Sequence, residues 1–577
     1  MLKLFRLLAP YRGYIAIVLV LALAQSLGFL LLPRLMSDIV DKGIVKGDQP
    51  AILRLGGLML LMSIAATFCA ILGMYYASKV ATGFGRILRG RIFARVEHFS
   101  IHQFDRFGSA SLVTRTTNDT TQVQQMLTMM LTMVITAPMM ATGGVILALS
   151  QDTQLAWVLI AVMPVMALVF GIILRGAVPL SQAMQEKIDR LNLVIGEGLS
   201  GVRVIRAFDR GARQRERFDR ANLDLTNTSI ALNRLMAFLM PALILMLNLT
   251  SLAIIWVGSH RIDAGVMQVG AMIASMQYAM QIMFAVFMVT AMFVMLPRAA
   301  ASAARINEVL DVSPEIVDPA GPAVPPRAAR RGHVEFQNVT FQYPGAEEPA
   351  LSGVSFAAHP GEVTAIIGGT GSGKSTLAGL IPRFYDVNHG RVLVDGVDVR
   401  EMTQADLRGR IGFVPQKAVL FTGTVAANIR YGREDASDEE IRHAATVAQA
   451  IEFVDAMPEK FASPISQGGI NLSGGQKQRL SIARAIVRKP DVYVFDDSFS
   501  ALDFATDARL RAALREETGD ATVFVVAQRI STVISADRII VLDNGRVAGV
   551  GTHAELLENN EIYREIVASQ VSLEEVA

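Results

Sequence analysis

The chain carries a single cysteine among its 577 residues, so no internal disulfide can form. That residue, Cys69, sits in an apolar run, which fits a reducing interior or a lipid setting. Charge of one sign is also lacking: the net balance is +2, which gives no case for a nucleic-acid partner. The opening MLKLFRLLAPYRGY has no small-residue cleavage pattern, so no removable signal peptide is expected.

What the chain has in excess is apolar surface. Hydrophobic residues make up 52% and the mean hydropathy is +0.39, with the excess concentrated in the first half. The length argues for two or three domains rather than one. A helix needs roughly 20 apolar residues to cross a bilayer core. Such stretches lie near 14–33, 55–78, 128–149, 155–174, 238–257 and 268–296. Six near-uncharged stretches of spanning length argue against buried helices of a soluble protein.

Orientation follows from the basic residues. The segment 79–127 carries Lys79, Arg86, Arg89, Arg91, Arg95, Arg106 and Arg115, and 175–235 carries Arg203, Arg206, Arg210, Arg213, Arg215, Arg217 and Arg220. The short SQDTQ connection has none, and GSHRIDAG has only Arg261. The expected arrangement is multi-pass in the inner (plasma) membrane, with both termini and both basic segments in the cytoplasm. Lys3, Arg6 and Arg12 beside Leu and Phe predict an interfacial helix before the first span. Both basic segments keep apolar residues at helical spacing, as in LNLVIGEGLSGVRVIRAFDR. They read as helices running past the membrane and turning at 104–111 and 208–214, or as solvated charged faces.

Methionines crowd the third and sixth stretches, among them Met129, Met130, Met133, Met139, Met140, Met272, Met276, Met280 and Met283. They suit a cavity for varied apolar ligands, and ordinary packing explains them equally well. Gln277, Gln281 and Asn248 are the polar residues expected to face the bundle interior.

A Pro- and Ala-rich stretch marks a linker at 313–331, between a membrane domain at 1–312 and a second domain at 332–577. The second domain alternates β-type runs with helical segments, the pattern of an α/β fold around a largely parallel sheet. Its strongest signal is GGTGSGKST, residues 368–376, directly after the apolar run VTAII. The glycine-rich loop opening a helix makes a nest for phosphate. Its residues are Gly368, Gly369, Thr370, Gly371, Ser372, Gly373, Lys374, Ser375 and Thr376. Lys374 can reach the outer phosphates of ATP and Ser375 can ligate Mg²⁺. Asp496, at the tip of VYVF, matches the carboxylate that holds Mg²⁺ in such nucleotide hydrolases.

Between these motifs stands LSGGQKQRLSIARA (472–485), and SALD (500–503) follows. With GGTGSGKST, this resembles the nucleotide-binding domain of an ATP-binding-cassette transporter. Six spans ahead of it resemble a half-transporter of the exporter type, over essentially the whole chain. The resemblance implies a membrane α-helical six-span exporter domain (type I exporter, type IV ABC fold) joined to an α/β P-loop NTPase domain. It further implies that Tyr343 stacks on adenine and that Gln416 touches Mg²⁺. Ser473, Gly474 and Gly475, with Leu472 and Gln476 completing the cofactor-binding signature, would meet the γ-phosphate bound by an opposite subunit through the first three, and Asp503 would lie in the loop crossing between two sites. The turns at 104–111 and 208–214 would be coupling helices.

Two positions depart from the family pattern. Where a Glu usually polarises the attacking water stands Asp497, and where a His usually acts as switch stands Gln528. Asp reaches about 1 Å less far, a misplacement that can cost on the order of 10²-fold in rate, roughly 2.7 kcal/mol. Gln cannot gain a proton as His can. The stretch SPISQGGIN also lacks the acidic residue often found in exporters. Together the departures resemble the degenerate-site subunit of a heterodimeric exporter, whose partner supplies Glu and His. A slow homodimer and an ATP-gated channel or regulator are the alternatives. The expected cargo is a small amphipathic or lipid-like molecule.

Overall fold

The computed structural model describes residues 2–323 and 331–574, so part of the expected linker, 324–330, lies outside the described residues. Two compact units form. One comprises Met1–Glu97 and Gly108–Val312, the other His98–Phe107 and Ser313–Ala577.

Among the described residues of the first unit, six helices are long and apolar enough to cross a membrane: Lys3–Ile44, Gln49–Glu97, Ser109–Gln151, Thr153–Ser200, Gly211–Asp263 and Val269–Asp311. At about 1.5 Å per residue, helices of 42 to 53 residues extend well past a ~30 Å hydrocarbon core. The chain is therefore a multi-pass membrane protein. Leu2–Phe5 and Arg6–Tyr11 are helical, and Lys3 pairs with Asp311.

Polar residues at the helix ends and kinks each meet a specific backbone need. Asp152 caps the helix Thr153–Ser200, accepting from the Gln154 and Leu155 N–H groups at 2.9 and 3.0 Å. Its other oxygen takes Arg261 Nε at 2.9 Å, so the single basic residue of GSHRIDAG joins the two short connections. Asp41 Oδ1 accepts from the Gly270 N–H at 2.7 Å near the start of the helix Val269–Asp311. A Cβ at Gly270 would lie 2.4 Å from Asp41 Oδ2 and from the Ser37 carbonyl, which requires glycine there. Within Arg12–Asp38, Pro33 lacks the N–H that would bond the Phe29 carbonyl four residues back. Gln281 Nε2 donates to that carbonyl at 3.0 Å, and Tyr278 Oη donates to the Leu30 carbonyl at 3.2 Å.

Gln281 thus serves the backbone of a neighbouring helix; Gln277 is half-buried and Asn248 is exposed on this chain. The methionines divide as well. Met283 is buried with Met166 and Phe170, Met272 and Met276 pack on a core around Tyr278, and Met280 is exposed.

In the second unit a six-stranded sheet runs in the order Arg546–Gly551, Arg538–Asp543, Val363–Gly368, Thr522–Val526, Val492–Asp496, Ile411–Val414. All neighbours are parallel except the edge strand Arg546–Gly551. Side chains alternate faces along each strand. Ala365, Phe495, Val525 and Val541 enter one core, while Ile366, Val494, Phe524 and Ile540 enter the other. A four-stranded antiparallel sheet, Leu351–Ala358, Val334–Phe341, His389–Val394 and Val397–Asp398, covers the second core.

The chain breaks within both segments where turns are expected, 104–111 and 208–214, but the short helices at the turns begin ahead of them. Short helices occupy Ile101–Phe107 and Val202–Ala207. Gly108 at φ 73° and Asp209 at φ 49° break the chain after them. The first of these helices belongs to the second unit: Gln103 Nε2 donates to the Ser313 carbonyl at 2.8 Å, and Ser100 and His102 both meet the Glu315 carboxylate.

Candidate functional site

Parallel strands end at one edge of a sheet, and this edge gathers the residues singled out from the sequence. Val363–Gly368 runs directly into the glycine-rich loop, which opens the helix Lys374–Leu380. Gly373 takes φ 96°, and a Cβ there would lie 2.7 Å from the Ala350 carbonyl. Gly369 and Gly371 face open space, leaving their backbone accessible to a phosphate chain. Lys374 Nζ folds back onto the carbonyls of Gly368 and Gly369 at 2.9 and 2.7 Å. Burial holds its ammonium below the usual lysine range, against the pull of Asp497 and Asp496.

The strand Val492–Asp496 delivers Asp496 to the same edge, where Ser375 Oγ donates to its Oδ1 at 2.8 Å. Burial pushes the Asp496 carboxyl up; Asp497 adds to this, while Ser375 and Lys374 oppose it. A hydroxyl and a carboxylate converging beside a phosphate loop are the donor pair of a nucleotide-bound Mg²⁺. No cluster of three or more His, Cys, Asp or Glu suited to a metal occurs among the described residues. Phosphates and water would supply the remaining ligands, as Mg²⁺ commonly requires.

Register then brings together three residues that are far apart in sequence. Val526 pairs with Asp496, and Val414 pairs with Phe495. One or two residues past these strand ends lie Gln416, Asp497 and Gln528. Gln416 Nε2 and Gln528 Nε2 each donate to Asp497 Oδ2 at 3.0 Å. Asp497 takes φ 45°, a left-handed backbone that Asp tolerates better than most residues, and its N–H donates to the Val526 carbonyl at 3.0 Å.

Tyr343 Oη and Thr376 Oγ1 lie 2.9 Å apart, tying the aromatic to the phosphate loop's helix. Its ring meets Phe341 and Tyr385 edge-on, with centroids 4.8 and 5.4 Å away.

The LSGGQ residues stand apart from this cluster. Ser473 caps the helix Gly474–Val487 in a reciprocal pair: its Oγ accepts from the Gln476 N–H at 3.3 Å, and Gln476 Oε1 accepts from the Ser473 N–H at 2.9 Å. Leu472 packs on the core, Gly474 faces open space, and a Cβ on Gly475 would lie 3.1 Å from the Ala501 carbonyl. Asp503 caps Phe504–Glu517; the Thr506 N–H, at 2.9 Å, holds its carboxyl below the usual range. Among the described residues no hydrogen bond joins 368–376 to 472–476. Each set presents exposed groups, as two halves of a site completed by a second copy or partner would.

Sequence reasoning did not single out Gln570. Its Nε2 donates to the Gln528 carbonyl and its Oε1 accepts from the Ile530 N–H, both at 2.7 Å. The available signal was a polar residue continuing the apolar stripe of Tyr563, Ile566 and Val567.

Comparison with known proteins accords with this architecture. The family described as ABC transporter transmembrane region matches residues 15–286, and that described as ABC transporter matches residues 351–500. An uncharacterized ABC transporter ATP-binding protein of Mycobacterium tuberculosis is 45% identical over 97% of this chain and 96% of its own length. An ATP-dependent lipid A-core flippase of Chromobacterium violaceum is 32% identical over 98% of this chain and 97% of its own. The solved structure of a bacterial Atm1-family ABC exporter with ATP bound is similar at a TM-score of 0.80 and 26% identity, covering 97% of each chain. With its six long apolar helices ahead of a phosphate-loop ATPase domain, the chain belongs to the ABC transporter family, as an exporter-type half-transporter.

Proposed function

We propose that this chain is one half of a heterodimeric exporter and that its own site holds Mg-ATP with little hydrolysis. Residues 1–312 would form the membrane domain, 313–331 the linker and 332–577 the nucleotide-binding domain. The partner would carry Glu and His at the two switch positions and complete its competent site with this chain's LSGGQ. Tyr343, the loop 368–376, Gln416 and Asp496 would hold the nucleotide and Mg²⁺.

The observation that carries this reading is the pair of amide bonds to Asp497 Oδ2. A carboxylate oxygen has two lone pairs, and two N–H donors leave none of them for a water. The shorter reach of Asp and the inability of Gln to take a proton act in the same direction. A slow homodimer is the second reading, favoured by Asp497 Oδ1, which accepts no hydrogen bond among the described residues.

Basic residues at both long helical extensions support cytoplasmic termini in the inner membrane. The likeness to a lipid A-core flippase, together with apolar spans of low charge, supports an amphipathic or lipid-like cargo. The test is ATP turnover by the chain purified alone in lipid nanodiscs and again after co-expression with a half-transporter carrying Glu and His. Little turnover alone and restored turnover in the pair are expected. Robust turnover by the isolated chain would overturn the heterodimer reading.

A further inference from the structure

We propose that Gln570, on the last helix (Glu561–Glu574), is a positioning residue that fixes where the Gln528 side chain meets Asp497. It deepens, and rests on, the reading of this site as one that holds Mg-ATP.

The strand Thr522–Val526 ends two residues before Gln528, and the short helix Ile530–Val533 begins two residues after it. The backbone between them has left the sheet. Its last sheet bond is that of the Ala527 N–H to the Ile366 carbonyl at 3.1 Å. Both poles of the Gln570 amide take over from there, on the Gln528 carbonyl and the Ile530 N–H. One planar side chain thereby holds both sides of Arg529 and sets the direction in which Gln528 leaves the backbone.

The helix bearing Gln570 is itself fixed. Tyr563 is fully buried and its Oη lies 2.7 Å from His553 Nδ1. Asn560 accepts from the Tyr563 N–H at 2.8 Å and donates to the Ala548 carbonyl at 2.9 Å. Ile566 and Val567 pack on the core. Positions 563, 566, 567 and 570 recur at three and four residues, so Gln570 occupies the next place on the buried stripe. An apolar residue would pack there but could bond neither backbone group. A polar side chain at a stripe position, with both its poles spent on the switch loop, is what a positioning role requires.

The test uses the full chain in membranes with its co-expressed partner, Mg²⁺ and radiolabelled 8-azido-ATP. After a chase with unlabelled ATP, photolabel retained on this chain is followed in time for the unmodified protein, Gln570→Met, Gln528→Ala and the double variant. Methionine keeps the bulk and helix propensity of Gln570 and removes only its hydrogen bonds. Each single variant should lose label about three- to tenfold faster, the factor for one or two hydrogen bonds. The double variant should lose it no faster than Gln528→Ala alone. Retention unchanged in Gln570→Met, retention unchanged in Gln528→Ala, or additive effects would each overturn the positioning role. So would a lower thermal midpoint of Gln570→Met with unchanged retention, which marks a purely structural contact. Absence of retained label on the unmodified chain would instead overturn the ATP-holding reading, and this proposal with it.

Discussion

Gln528 donates its side-chain amide to Asp497 Oδ2 at 3.0 Å, on the oxygen that also takes the amide of Gln416. The three residues reach one another because their strands are parallel and in register. The Asp497 carboxylate is therefore held by two neutral donors that cannot move a proton. Geometry and chemistry both support the proposal that this site keeps its nucleotide.

Replacing both switch positions should restore chemistry at this site. Asp497→Glu combined with Gln528→His is expected to raise ATP turnover of the chain alone by about 10²-fold, the scale of a 1 Å correction in placement. Each single change should recover less. A phosphate-release assay in nanodiscs measures this, and an unchanged double variant would show that the two residues do not limit the site.

Tyr343 separates stacking from its hydrogen bond. Tyr343→Phe loses only the contact to Thr376 and should change ATP affinity by less than about tenfold. Tyr343→Ala also loses the ring and should weaken affinity by about 1–3 kcal/mol, the usual worth of a base stacked on an aromatic. Titration with a fluorescent ATP analogue distinguishes them; equal effects would argue against stacking.

Asp119 and Arg305 form an ion pair where the helical extensions meet. Arg305 Nε donates to Asp119 Oδ2 at 2.8 Å, Ser302 Oγ donates to Oδ1 at 2.9 Å, and the Asp119 side chain is only 1% exposed. Arg305→Ala would strand a buried carboxylate and should destabilise the protein by about 3 kcal/mol. Asp119→Asn in the same chain should recover much of that loss. Thermal unfolding in detergent checks both, and an unchanged midpoint for Arg305→Ala would refute the claim.

Gln281 and Pro33 form a compensating pair across two helices. Gln281→Leu leaves the Phe29 carbonyl without a donor and should cost about 1–2 kcal/mol. Pro33→Ala restores the helical N–H, so adding it should abolish most of that cost. Fluorescence-detected thermal stability of the four proteins gives the coupling; strictly additive changes would mean that the bond is not compensatory.

Much of this was readable from residue order. The six spans are visible because a bilayer demands long uncharged runs, and each expected stretch coincides with one of the long helices, Gln268 alone lying just ahead of the last. The phosphate loop is visible because glycine spacing, Lys374 and a preceding apolar strand occur together in sequence. The short helices at Ile101–Phe107 and Val202–Ala207 begin ahead of the segments expected to turn, because helical spacing of apolar residues continues through both breaks. The breaks at Gly108 and Asp209 fall within those segments, but the extent of the short helices before them is set by the backbone. Polarity in a span points Gln281 to the bundle interior, where it lies; the carbonyl it serves, 252 residues away, is not legible in the sequence.

The sequence alone determined the chemistry on offer: a phosphate loop, a carboxylate pair, a signature segment and six apolar spans, each set by contiguous residues. The tertiary structure decided which groups meet. Parallel register, a long-range property of hydrogen-bonded strands, brings Gln416 and Gln528 onto one oxygen of Asp497. The packing of the last helix places Gln570 behind Gln528. Such contacts depend on strand order and helix docking across hundreds of residues, and no local pattern encodes them.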